Sequence, residues 1–136
     1  MSFLPAQVLL YSIAAAALLI YFPYLFVVLG RFQVGYDMSA PRALFDKLPA
    51  YAQRATWAHQ NSFEVFMFFA AAALMVYVTE TGSSYTTNLA LAFLAARLAY
   101  SLCYIVNIPL VRSLMWAGSM ACIAGLMTAS FSTLGA

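Results

Sequence analysis

The chain has 136 residues, of which 65% are hydrophobic and only 7% charged. A soluble domain carries about 25% charged residues, so this balance excludes an ordinary water-soluble fold and places the whole chain, residues 1–136, in a membrane as a single domain. The net charge of +2 comes without a basic patch to meet phosphates, which excludes a nucleic-acid binder.

A membrane span needs about 20 consecutive apolar residues, and four stretches qualify. The first span is expected over residues 5–30, with Pro23 as a candidate kink. A polar loop follows from Arg31 to Ala50, with Gly35, Pro41 and Pro49. Six of the ten charged residues lie between Arg31 and Arg54. The second span is expected over residues 51–78, a short turn around Gly82 leads to the third over residues 86–106, and Asn107-Ile108 leads to the fourth over residues 109–131. Pro109 suits a first helical position, where its missing N–H costs nothing. Short connections imply antiparallel neighbours, so the expected fold is an all-α, up-down bundle of four transmembrane helices.

Arg31, Arg42, Lys47, Arg54 and Arg112 all fall on one side of such a bundle, while the opposite side carries Glu80 and no Lys or Arg. Basic loops stay in the cytoplasm, which predicts a cytoplasmic first loop and both termini outside. Cys103 and Cys122 fall in apolar segments, at no spacing that would hold a metal or form a disulfide framework. They read as packing residues, and no metal is expected.

The chemistry concentrates in two polar clusters inside spans. Ala58-His59-Gln60-Asn61-Ser62-Phe63-Glu64 opens the apolar part of the second, and Arg97-Leu98-Ala99-Tyr100-Ser101-Leu102-Cys103-Tyr104 sits in the third. An ionisable group at membrane depth costs about 2.5–3.5 kcal/mol on insertion scales, so it marks a partner or a ligand. At about 100° per residue, Arg54, Asn61 and Glu64 lie within about 80° on one face, whereas His59 points about 140° away from Arg54. Arg97, Tyr100, Ser101 and Tyr104 span about 100° of the third helix. Glu64 and Arg97 lie about 20 Å and about 15 Å from the loop ends of their helices, so an ion pair between them is feasible, within one chain or across two. A pair that only fixes helix register would leave Asn61, Tyr100 and Tyr104 unexplained. These residues instead point to a pocket for a charged ligand. His59 reads more simply as a satisfied interfacial histidine, and Met115 and Trp116 as packing or interface residues.

The ordered pattern Ala58-His59-x-Asn61-x-x-Glu64 followed by Arg97-x-x-Tyr100-x-x-x-Tyr104 resembles the MAPEG family, the membrane-associated proteins in eicosanoid and glutathione metabolism. Arg54-Ala55 and Arg112-Ser113-Leu114-x-Trp116 resemble its bacterial branch. The resemblance implies a homotrimer in a bacterial inner membrane, with glutathione as co-substrate held between subunits and open to the cytoplasm. It implies that Arg54, Asn61, Glu64, Arg97, Tyr100 and Tyr104 line the glutathione site, and that Arg112, or next to it Arg31, serves the thiol. One position departs from the pattern: Trp57 stands where many glutathione-binding members carry arginine. The implied activity is a membrane glutathione transferase, extending to peroxidase chemistry on lipid hydroperoxides. The second reading is a non-catalytic lipid- or partner-binding protein on the same scaffold. A third, a proton or ion pathway through Glu64 and Arg97, lacks polar residues in the outer halves of the helices.

Overall fold

The computed structural model describes residues 4–132 and Leu134. Among the described residues there are four long helices, each long and apolar enough to cross a membrane: α1 (Pro5–Gln33), α2 (Ala50–Val78), α3 (Ser84–Ile105) and α4 (Pro109–Phe131). A 3₁₀ segment, Pro41–Lys47, interrupts the first loop. This is an integral multi-pass membrane architecture.

The helix ends follow from local chemistry. α3 starts two residues before the apolar run because Ser83 caps it: Ser83 Oγ accepts the Thr86 N–H at 3.3 Å, and Thr86 Oγ1 accepts the Ser83 N–H at 2.8 Å. α2 and α3 each end in a left-handed residue, Glu80 (φ 56°) and Asn107 (φ 63°). In both, the next N–H reaches back a full turn, from Thr81 to Val76 O at 3.2 Å and from Ile108 to Cys103 O at 2.8 Å. These are Schellman closures. They reverse the chain within a few residues, so that α2–α3 and α3–α4 run antiparallel. The expected turn around Gly82 is in fact closed by Glu80, two residues earlier. Pro23 does not break α1, which runs unbroken to Gln33 with Pro23 fully buried.

α2 and α3 pack on each other; α1 packs on both, and α4 packs on both from the other side. The core between them combines alanines with aliphatic residues such as Leu9, Val76, Ile123 and Leu126 and with two aromatics. Ala72, Ala73 and Ala90 are fully buried, and the Phe69 and Phe93 rings stack at 3.9 Å between α2 and α3. At the loop side α1 approaches α2 so closely that a methyl on Gly30 would overlap the Ala52 side chain. That contact brings the C-terminal end of α1, with Arg31, against α2. Ala117, Ala121 and Gly125 stand four residues apart on α4; Gly125 faces α3 of the same chain, at Leu89 and Tyr85, while Ala117 and Ala121 are exposed.

The loop between α1 and α2 is solvated. Asp37 accepts the Ser39 N–H at 2.9 Å and its hydroxyl at 2.6 Å, and these bonds hold its carboxyl below the usual carboxylate range.

Candidate functional site

α2 sends polar side chains to two faces of the bundle. On the face shared with α3 and α4 stands a ladder of alternating cations and rings. Arg97, only 4% exposed, donates from Nη2 to Asn61 Oδ1 at 3.0 Å and to Ser62 Oγ at 3.1 Å. Its Cζ lies 4.0 Å from the centre of the Tyr100 ring. Tyr100 meets Tyr104 edge-on at 5.6 Å, and the Arg112 Cζ lies 4.5 Å from the Tyr104 ring centre. Cation–ring contacts of this kind are worth about 0.5–2 kcal/mol each, most where water is excluded. The spacing explains the ladder: residues three and four apart share a helix face, so Arg97, Tyr100 and Tyr104 rise along α3 toward the loop side. The Asn107 turn then delivers Arg112 from the first turn of α4. A cavity of about 230 Å³ opens beside them, walled by Asn61, Tyr100, Tyr104, Arg112, Ser113 and Trp116.

This region has cations without a carboxylate. The Glu64–Arg97 pair that the spacing allows, within one chain or across two, does not form within the chain: Asn61 and Ser62 take the guanidinium, and Glu64 is exposed without an ion-pair partner among the described residues. Glu64 turns instead to the groove between α1 and α2, about 1000 Å³ in volume, which it shares with Arg31, His59 and Gln60. Arg97 keeps one buried donor, Nη1, with no hydrogen-bond partner among the described residues.

Arg54 has a structural partner. Its Nε and Nη2 both donate to Ile105 O, at 3.0 and 2.9 Å. The helical donor for that carbonyl would be the N–H of residue 109, which is proline and has none. Arg54 therefore caps α3, where the helix end is negative, and its Nε and Nη2 edge is not available to a ligand. Trp57, half-exposed at 43%, lies between Phe45 and Tyr104, with ring centres 5.8 and 6.4 Å away.

Arg31 lies on the other face. Its Nη1 donates to Tyr24 Oη at 3.2 Å, and Tyr24 in turn packs against the His59 ring, 5.0 Å between centres. His59 Nδ1 donates to Ile20 O at 2.8 Å; since a carbonyl only accepts, the proton sits on Nδ1. His59 thus joins α2 to α1, as an interfacial histidine does.

Of the eight residues singled out from the sequence, the fold brings Asn61, Arg97, Tyr100, Tyr104 and Arg112 together, ties Arg54 to the end of α3, and sets Glu64 and Arg31 on the α1–α2 face. Sequence reasoning missed Ser62, Ser113 and Trp116. Ser62 carried no charge to flag it, although it neighbours Asn61. Trp116 lies four residues after Arg112 and three after Ser113, spacings that bring it onto a helix face with each of them. Among the described residues no cluster of His, Cys, Asp or Glu could hold a metal, and both cysteines are free.

The family model described as the MAPEG family matches residues 8–132. The chain belongs to the MAPEG family. No curated protein and no solved structure gives a significant match. The MAPEG match spans all four helices. The family includes glutathione transferases and related enzymes, which makes the α2–α3–α4 ladder the first place to look for chemistry.

Proposed function

We propose that this MAPEG protein, of the bacterial-type branch, is a membrane-bound glutathione transferase that also reduces lipid hydroperoxides, with its thiol site on the α2–α3–α4 ladder. The observation that carries the reading is Arg112, half-buried over Tyr104 at the loop-side mouth of a cavity lined by Asn61 and Tyr100 and by no carboxylate. Glutathione offers two carboxylates, an ammonium and a thiol. Asn61 and the tyrosines of the cavity can donate to a carboxylate, the Arg97 charge lies behind them against Asn61 and the Tyr100 ring, and Glu64 suits the ammonium.

A free thiol has a pKa of about 8.5 and attacks as thiolate. Holding the thiolate two units lower takes about 2.7 kcal/mol of differential stabilisation. The Arg112 guanidinium and the positive N-terminal end of α4 act in the same direction. The sulfur then attacks an electrophilic carbon arriving from the bilayer. A C–S bond forms, and the leaving group departs with its electron pair or, in an epoxide, takes a proton.

Glu64 and Arg31 face away from this cavity in one chain, so the reading gives them a role only from a neighbouring copy. A homotrimer supplies them, with Arg31 as the second candidate for the thiol. Native mass spectrometry in mild detergent should then show three chains. The basic loop side is proposed as cytoplasmic, in the inner membrane of a bacterium. Single cysteines at Ser39 and Ser83 should then label from opposite sides, with Ser83 the one reached from outside.

Trp57 favours a second reading. Its ring lies against Tyr104 and offers a carboxylate no charge and no bidentate pair of donors. On that reading the protein binds a lipid or a partner without catalysis. Glutathione-dependent turnover of a lipophilic electrophile by the purified protein separates the two. Measurable turnover supports the transferase, and glutathione binding without turnover, or no binding, supports the non-catalytic protein.

A further inference from the structure

The spacing of the polar residues on α2 and α3 marks Asn61 and Arg97 alike, but the two stand differently to the α2–α3–α4 cavity. Asn61 is part of its wall and Arg97 is not. Arg97 lies behind Asn61, 4% exposed. Both protons of its Nη2 are engaged there, one by Asn61 Oδ1 at 3.0 Å and one by Ser62 Oγ at 3.1 Å. Its Cζ lies 4.0 Å from the centre of the Tyr100 ring, one turn further along α3.

A guanidinium has donors and no acceptor. It therefore tolerates only one orientation of the Asn61 amide, with Oδ1 toward Arg97. Turned by half a rotation, the amide would set its own N–H groups against those of Nη2. With Oδ1 held from behind, Nδ2 occupies the other edge of the planar amide. Nδ2 has no acceptor among the described residues, and it is not buried. It is the edge that Asn61 offers to the cavity. Arg112, also in the wall, brings only donors, while the Tyr100 and Tyr104 hydroxyls donate or accept as a ligand requires. The orientation of Asn61 thus decides whether the deep end of the cavity calls for an acceptor or a donor.

We propose that Arg97 is a positioning residue that sets the polarity of the ligand site. By holding Asn61 Oδ1 it turns the Nδ2 protons to the cavity, where they select a carboxylate over an ammonium or an amide N–H. Arg97 acts through Asn61 and does not touch the ligand. This rests on the glutathione reading of the cavity and gives the tripeptide a direction. Of its two carboxylates, only the glycine one has no ammonium on the same carbon, so that is the end that meets Asn61.

The test is a double-mutant cycle on the full-length protein in mild detergent, read by calorimetric titration and a thermal melt of each variant. The probe is S-methylglutathione, which keeps both carboxylates and has no free thiol. Arg97→Met should weaken its binding about a hundredfold, but less than about fivefold where Asn61 is already alanine, because an effect that passes through Asn61 disappears with it. The wild type should also prefer the probe to its glycine carboxamide by about tenfold, the margin of a charge-assisted bond. Arg97→Met should bring the two ligands within a few-fold, since a released amide can turn Oδ1 to the carboxamide N–H. An arginine that only holds the fold would weaken both ligands by one factor and lower the melt. Asn61→Asp keeps a partner for Arg97 but replaces the Nδ2 donor with an acceptor, so it should favour the carboxamide even where Arg97→Met does not fold. An unchanged preference in Asn61→Asp, or an equal loss from Arg97→Met in both Asn61 backgrounds, would overturn the positioning role. A wild type that binds neither ligand would overturn the carboxylate site and the glutathione reading together. Binding that follows the cycle, without any glutathione thiolate or turnover, would remove the transferase chemistry and leave the positioning role standing.

Discussion

The two polar faces of α2 handle buried charge in opposite ways. On the α3–α4 side, the guanidinium of Arg97 is met by an amide oxygen, a hydroxyl and an aromatic ring, and that of Arg112 by a second ring. On the α1 side, Arg31 has one tyrosine hydroxyl, and Glu64 has no ion-pair partner among the described residues. In a membrane an ion pair would be the simplest way to hide opposite charges. The chain holds Glu64 and Arg97 at similar depth yet keeps them on different faces. Cations supported by neutral dipoles and rings keep their net charge, whereas a closed ion pair would neutralise it. The α3–α4 face is therefore suited to receive anions, and the α1 face is left to be completed from outside the chain.

The largest effect should come from breaking the first face at its centre. Arg97→Met keeps most of the volume but removes the charge. It should weaken glutathione binding by about a hundredfold or more, since truncating one partner of a buried charged pair costs about 2–5 kcal/mol. Stability should change little, because replacing a buried charge with a well-packed apolar side chain is often neutral. A calorimetric titration and a thermal melt on the same sample check both halves.

Arg54 should give the reverse pattern. Arg54→Ala leaves Ile105 O without a donor at the end of α3, a cost of about 1–3 kcal/mol. The unfolding midpoint should fall by several degrees while glutathione affinity stays within a few-fold. If affinity collapses and the midpoint holds, Arg54 is a ligand residue and the capping role is wrong.

The smallest effect belongs to Glu64 on its own. Glu64→Gln removes an exposed carboxylate with no ion-pair partner among the described residues, so the stability of dissociated subunits should move by less than about 0.5 kcal/mol. Its coupling to Arg97 in unfolding should be equally small. Coupling that appears only in glutathione binding by the assembled protein would place both side chains on one ligand across a subunit boundary.

Much of this was legible in the sequence. The number of spans and their order follow from runs of apolar residues whose lengths match the bilayer. The α3 ladder follows from the spacing of Arg97, Tyr100 and Tyr104. The face assigned to Glu64 did not carry through. Helical arithmetic sets it about 60° from Asn61, which reads as the same side. In a four-helix bundle, however, α2 meets different neighbours at nearby angles, and that step moves a side chain from the α3 groove to the α1 groove. Arg54 was assigned to a ligand although its partner was foreseeable: Pro109 deprives Ile105 O of its donor, and the nearest arginine on the adjacent helix answers it. Tyr24 and His59 could not be connected to Arg31 from spacing alone, because the link runs between helices, through packing that pattern arithmetic does not report.

The central claim is that Arg112 holds a glutathione thiolate at the mouth of the α2–α3–α4 cavity. The direct measurement is the ultraviolet thiolate absorbance of bound glutathione at neutral pH, in wild type and in Arg112→Ala. The account predicts a thiolate signal in the wild type and its loss in Arg112→Ala, with glutathione affinity largely kept. It also predicts that the signal returns in the variant only at a pH above about 8.5, where the free thiol ionises. A wild-type thiolate signal in Arg112→Ala with glutathione bound would contradict it and move the role to Arg31.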